Sequence, residues 1–291
     1  FFFGQADSMA TTAGDRVPLM NEPVKPSKVE PPRRKTWNNM DGATLRWYEY
    51  CAIVAMATAL ALVAGVINTV SLLSALGSPV SHMTGILTQA GKANAGGAWM
   101  LAAKHLGAFT SFVLGAAVTG IICNDRNWSI GPRFGIVLLV EAAVLFAGWQ
   151  LYYTEHMPYV LFINCFACGL QNALGTMYGS AIVRTTHMTG AATDIGLGLG
   201  HVLRARKPAA AVGEAWKLRF FLPLVLMFVA GTTSGTVLFS WYDYHAIVIP
   251  ATFVGVLGAV YLVVFKALSY EPMSPLEPSP PGSPVSFEGR V

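Results

Sequence analysis

His82-Met83-Thr84-Gly85 and His187-Met188-Thr189-Gly190 are the same four residues, 105 positions apart. A threonine follows each glycine by three residues, Thr88 in the first copy and Thr193 in the second. A Gly-x-x-Asn precedes each copy. Gly65 leads to Asn68, fourteen residues before His82, and Gly169 leads to Asn172, fifteen before His187. A polar motif returning at this spacing, inside an otherwise apolar chain, predicts an internally duplicated membrane protein.

The composition agrees with that reading. Of 291 residues, 54% are hydrophobic and only 12% charged, and the mean hydropathy is +0.50. Soluble domains carry about 25% charged residues, so the low value points to lipid as the main solvent. The net charge of +4 is small. Its basic residues sit beside apolar segments rather than in a stripe, so no nucleic-acid partner is expected.

Four cysteines, Cys51, Cys123, Cys165 and Cys168, lie in or at the edge of apolar runs, unlike a secreted disulfide framework. Cys165-x-x-Cys168 puts two thiols on one helix face but lacks the further ligands of a zinc site, so small packing residues are expected there. No metal and no cofactor is expected. The sequence opens on Phe1, Met9 is read as a start, and Phe1 to Phe3 are too few for a signal-peptide core.

Residues 1–45 carry five prolines and several lysines and arginines, and are expected to be a disordered basic tail beside a membrane. A transmembrane domain is expected over 46–268, and a second Pro-rich tail over 269–291. Apolar runs at 48–75, 101–123, 133–153, 158–179, 219–241 and 246–268 predict six spans. The segments carrying the motifs, 76–99 and 180–217, are less apolar, and counting them as spans would make eight. With six spans and both termini cytoplasmic, the inner segments hold Lys25 to Lys35, Arg126, Arg133, Arg204 to Arg219 and Lys266. The outer connections 154–157 and 242–245 hold no Lys or Arg, as the positive-inside rule asks.

The fold class expected is therefore all-α: about six transmembrane helices in two inverted three-helix repeats, about 48–153 and 158–268. Each repeat would carry a broken or re-entrant HMTG segment. Three spans is an odd number, so the two motifs would approach from opposite faces. Gly231 and Gly235 in the second half are set against Gly115 and Gly120 in the first, as small residues that let helices approach closely.

Gly169-Leu170-Gln171-Asn172-Ala173, followed by Arg184-Thr185-Thr186-His187-Met188-Thr189-Gly190-Ala191-Ala192-Thr193-Asp194, resembles the signature of the DUF1275 (YoaK-like) membrane family. The first half resembles that family's first half with two departures. Members often have aspartate at the position of Asn68, and asparagine at that of His82. The resemblance covers residues 48–268 and implies a polytopic membrane protein of about six spans, with no established activity.

Ser81 or Thr84 and Thr186 or Thr189 can cap short helices at 85–95 and 190–203, leaving free N–H groups for an anion or polar solute. Asn68, His82, Thr84, Gly85 and Thr88, with Asn172, His187, Thr189, Gly190 and Thr193, are the candidate substrate-binding residues. The alternative is that both motifs only cap re-entrant segments and pack the halves together. Glu141, in the middle of an apolar span, would cost ~2.5–3.5 kcal/mol to insert, so it should face a cavity, find a partner or be protonated. It and Asp194 are the candidates for proton coupling. No hydrolase or oxidoreductase motif is present, so no enzyme activity is expected.

The expected function is a small-solute transporter or permease with a central site between the two motifs. The alternative is a non-transporting scaffold or accessory subunit of a larger membrane complex. Partners are the bilayer, a small solute or anion, and other copies of the chain or a larger complex. The orientation is tested at the sequon Asn127-Trp128-Ser129, which lies on the inner side when six spans are counted. Expressed in cells with a glycosylating secretory route, Asn127 stays unmodified, and a glycan there detected by mass shift would overturn the orientation.

Overall fold

The computed structural model describes residues 47–123, 133–178, 185–204 and 208–268. The chain divides into two units, Phe1–Lys35 and Thr36–Val291, and every described residue belongs to the second. The expected tails, and the segment with Arg126 and Asn127, lie outside the described residues.

Among the described residues the regular structure is entirely helical. The elements are α1 (Trp47–Leu73), α2 (Met83–Ala95), α3 (Trp99–Ile122), α4 (Arg133–Tyr152), α5 (Met157–Tyr178), α6 (Met188–Arg204), α7 (Pro208–Tyr242) and α8 (Val248–Leu268). A short 3-10 segment, η1 (Asp243–Ile247), joins the last two. Asp243 takes φ 51 there, a left-handed value that aspartate adopts more readily than most residues.

Five segments are long and apolar enough to cross a membrane: Val54–Leu73, Trp99–Ile122, Arg133–Tyr152, Met157–Thr176 and Leu218–Val264. The last is 47 residues long and contains the η1 corner. Helices α2 and α6 fall short. Their 13 and 17 residues rise about 20 and 26 Å against a hydrocarbon core of about 30 Å. The protein is a helical one of the integral-membrane kind.

Glycines set the packing. A side chain at Gly65 of α1 would strike the Phe228 carbonyl of α7, and one at Gly231 of α7 would strike the Leu62 carbonyl of α1. Gly169 of α5 and the Phe112 carbonyl of α3, and Gly115 of α3 and the Phe166 carbonyl of α5, repeat the arrangement. In both pairs residue numbers rise together, so α1 runs parallel to α7 and α3 parallel to α5. Without hydrophobic solvent-driven association in lipid, such backbone-to-backbone approach supplies the attraction.

The remaining contacts are antiparallel. Gly135 of α4 meets Leu262 of α8, while Ala142 meets Gly255. Gly148 of α4 faces Val160, Ile163 and Asn164 near the start of α5. Gln171 of α5 bonds the Leu60 carbonyl of α1, and Asn164 bonds Ser71. Taken together, α1, α4 and α7 run one way and α3, α5 and α8 the other.

Gly115 and Gly231 each press on a carbonyl of a parallel helix, and Gly235 meets Val66, while Gly120 makes no such contact. Thr119 is buried and donates to the Leu170 carbonyl at 3.1 Å, whereas a Cβ at Gly120 would meet nothing within 4 Å.

These environments make opposite predictions. Gly169→Ala forces α3 and α5 apart and should destabilise the protein by about 1–3 kcal/mol. Gly120→Ala, in open space, should be neutral or stabilising by up to about 1 kcal/mol. Thermal unfolding of the two variants in detergent measures the contrast.

Candidate functional site

The two motifs are built alike. Asn68, buried on α1, donates through Nδ2 to its own helix at the Ala64 carbonyl (2.8 Å) and to Ser81 Oγ (2.7 Å). Its Oδ1 accepts the Ser81 backbone N–H at 2.9 Å. The residue just before His82 is thus fixed to the first helix by both ends of one amide. On α5, Asn172 Oδ1 accepts the Thr186 hydroxyl at 2.9 Å, fixing the residue just before His187.

The short helices then begin in the same way. The His82 carbonyl accepts Ile86 N–H at 3.0 Å, and the His187 carbonyl accepts Ala191 N–H at 3.0 Å. His82 is the N-cap of α2 and makes no side-chain capping bond. Ser81 and Thr84, expected as caps, do not fill that role, because Ser81 is held by Asn68 and Thr84 lies inside the helix. Thr186 and Thr189 are placed likewise in the second copy.

The His-x-x-Gly spacing has a steric cause. A Cβ on Gly85 would lie 2.7 Å from His82 Cε1, and one on Gly190 would lie 2.6 Å from His187 Nε2. Each imidazole therefore folds over the first turn of its helix and rests on a bare Cα. Thr88 and Thr193 spend their hydroxyls on the carbonyls four residues back, at Thr84 (2.8 Å) and Thr189 (3.0 Å).

His82, Thr84, Thr88, His187, Thr189 and Thr193 are exposed, Gly85, Gly190 and Asn172 half-buried, and Asn68 buried. Asp194 is half-buried on α6. Helix α2 packs on α3 and α6 on α7, and among the described residues the two motif helices do not touch. The motifs stand apart, one beside the C-terminal part of α1 and the other beside that of α5.

Between them lies a buried polar core that the motifs did not announce. Asn164 donates to Tyr244 Oη at 2.8 Å and to Ser71 Oγ at 3.2 Å. Tyr244 stacks on Tyr152 with ring centroids 3.7 Å apart, and Tyr152 Oη accepts Ala75 N–H at 3.0 Å. Asn164 Oδ1 at that end is buried without a partner. Toward the second motif, Gln171 donates to the Leu60 carbonyl at 2.6 Å.

Glu141 is 0% exposed, and neither carboxyl oxygen has a hydrogen-bond partner. Gln171 Oε1 and Thr185 Oγ1 are also buried without a partner. A cavity of about 20 Å³, room for one water, is lined by Leu60, Leu138, Leu174 and Thr185 among others. Glu141 and Asn164 could be found in the sequence as polar residues inside apolar runs. Thr185 and Tyr244 carry no such signal.

Cys165 and Cys168 are fully buried in the core of α5. Among the described residues no three His, Cys, Asp or Glu side chains are grouped as a metal site would require.

A family model described as a protein of unknown function, DUF1275, matches residues 56–260. No curated protein and no solved structure matches the chain.

The asparagine latch is testable directly. Asn68→Leu should cost about 1–3 kcal/mol, because it removes a buried partner and leaves Ser81 unpaired. Hydrogen exchange should rise within residues 79–95 and not in α4 or α5. Unchanged protection of α2 would show that the latch does not hold it.

Proposed function

The chain belongs to the DUF1275 family, and from that premise we propose that it is a small-solute membrane transporter or permease. The observation that carries the reading is Glu141, wholly buried in α4 with both oxygens unpartnered, one turn from Leu138 in the lining of a cavity. An ionised carboxyl in that setting is costly unless a cation or proton joins it, and structural packing alone has no use for the expense.

The architecture proposed with it is six spans, α1, α3, α4, α5, α7 and α8, arranged as an inverted three-plus-three repeat. Support for counting α7 and α8 separately is length. A straight helix of 47 residues would rise about 70 Å, more than twice the hydrocarbon thickness. Support for inversion is direction: α1, α3 and α4 run up, down, up, while α5, α7 and α8 run down, up, down. The matched docking of α1 on α7 and α5 on α3 fits a two-fold axis in the membrane plane. The charge pattern favours both termini on the cytoplasmic side.

In this reading the motif helices α2 and α6 are gates, one toward each face, latched by Asn68 and Asn172. Solute would pass between the gates along the buried polar core, with Glu141 as the coupling carboxyl and Asp194 as the more peripheral acid. The chain does no covalent chemistry, and its partners are the bilayer, the solute and other copies of itself.

A second reading, a non-transporting scaffold or accessory subunit, is favoured by one observation. The asparagines and threonines of both motifs already spend hydrogen bonds on the backbone or on each other. Flux separates the two. In proteoliposomes holding a pH-sensitive dye, the correct solute class collapses a proton gradient, and Glu141→Gln lowers that rate at least tenfold while His187→Gln lowers it less. If no class of small polar solute or anion produces flux, the transport reading fails.

A further inference from the structure

The unpartnered groups of the core converge. Gly148 faces Asn164 across the antiparallel α4–α5 pair, a Cβ there lying 3.0 Å from Asn164 Oδ1. Two turns back along α4 is Glu141, and two turns on along α5 is Gln171. In antiparallel helices those two positions are level and face each other. Cys168, one turn before Gln171, lies within electrostatic reach of Glu141, as that register requires.

The same faces continue to the cavity. Phe134, Leu138 and Glu141 share one side of α4, and Gln171, Leu174 and Gly175 share one side of α5, with Phe134, Leu138, Leu174 and Gly175 lining the space. Thr185 lines it too, its hydroxyl buried and unpartnered. Gln171 cannot turn its amide to offer a donor, because Nε2 is already committed to the Leu60 carbonyl at 2.6 Å.

Four buried oxygens along these faces lack partners: Oγ1 of Thr185 at the cavity itself, and, one turn beyond its lining residues Leu138 and Leu174, both oxygens of Glu141 and Oε1 of Gln171. Of these four only the threonine oxygen carries a hydrogen to give, and Tyr261, which also lines the cavity, carries another. What completes such a set donates hydrogens or carries positive charge, and an ionised Glu141 at this depth needs the charge. Carboxylate, amide and hydroxyl oxygens are hard ligands suited to a hard ion or a proton. One carboxylate balances one charge, and a divalent ion would leave a net charge in the hydrocarbon. The space admits something the size of one water.

We propose that Glu141, Gln171 and Thr185 form a binding site for a single small monovalent cation, a sodium ion or a proton. It deepens the transport reading, on which this ion would be the coupling ion, and the site adjoins the second motif through Thr185 and its neighbour Thr186. The other titratable groups about it are Cys165 and Cys168 from α5 and Tyr261 from α8. Among the described residues helix α1 contributes Met56, Ala57 and Leu60, and Arg133 stands two turns away at the start of α4.

Infrared difference spectroscopy of the full chain in lipid tests the proposal without knowledge of any solute. The readout is the carbonyl band of a protonated carboxyl, assigned to Glu141 by its loss in Glu141→Gln. If the ion is sodium, exchanging choline chloride for sodium chloride at constant pH abolishes the band. If the ion is a proton, sodium leaves the band unchanged and raising the pH abolishes it.

In either case Gln171→Leu should shift the sodium or pH midpoint roughly tenfold. Thr185→Val should move it in the same direction, and serves alone if the first variant does not fold. A band that neither sodium nor pH removes, a band absent throughout, or a midpoint that the variants leave in place overturns the site. Ion binding in the spectrum without solute flux would overturn transport and leave the site standing. Solute flux with no Glu141 signal would do the reverse.

Discussion

The structure depends on four glycines that let backbones touch. Gly65 and Gly231 join α1 to α7, and Gly115 and Gly169 join α3 to α5. In each pair a bare Cα from one helix rests on a carbonyl of the other. Apolar side chains gain little by meeting each other in lipid, so this close approach has to supply the attraction through dispersion and weak C–H···O contact. It also dictates topology, because each contact links the earlier part of the chain to the later. Neither set α1–α4 nor set α5–α8 packs by itself: α1 finds its main partner in α7, and α3 finds its partner in α5.

That interlock positions the polar residues. With α1 and α5 held by their partners, Asn68 and Asn172 become fixed posts to which the chain returns after its first long helix. Asn68 uses both its amide oxygen and its amide nitrogen on Ser81. The following histidine then has a defined place, folded over a glycine three residues on. The motif is a device for restarting a helix beside another helix, with the first turn shielded by an imidazole. Its threonines serve the same end by bonding backward within the helix.

The core is unequal along its length. At one end Asn164, Ser71, Tyr244 and Tyr152 are in direct contact, and one oxygen, Asn164 Oδ1, lacks a partner. The other contains Glu141, Gln171 and Thr185 with oxygens that nothing among the described residues satisfies. Buried polar atoms are almost always paired, so an unpaired group of this size is where a ligand, ion or proton belongs.

The sequence by itself determined the solvent, the helical class and the placement of the long helices. Apolar runs of about 20 residues in lipid have few alternatives, since every backbone group must be satisfied within its own segment. It also marked His82 and His187 as heads of matching motifs, and Glu141 as exceptional. What it left open was who touches whom. Asn68 and Asn172 stand out in the sequence, but only the fold brings Ser81 and Thr186 within their reach. Gln171 looked like an unmatched neighbour of Asn172, and only the α4–α5 register sets it opposite Glu141. Thr185 was one polar residue among several before a motif, and only tertiary structure turns it toward a cavity. Periodicity and hydropathy act within one helix, so a sequence carries them openly. Register between helices is set by glycine contacts between segments far apart in the chain, which no local pattern records.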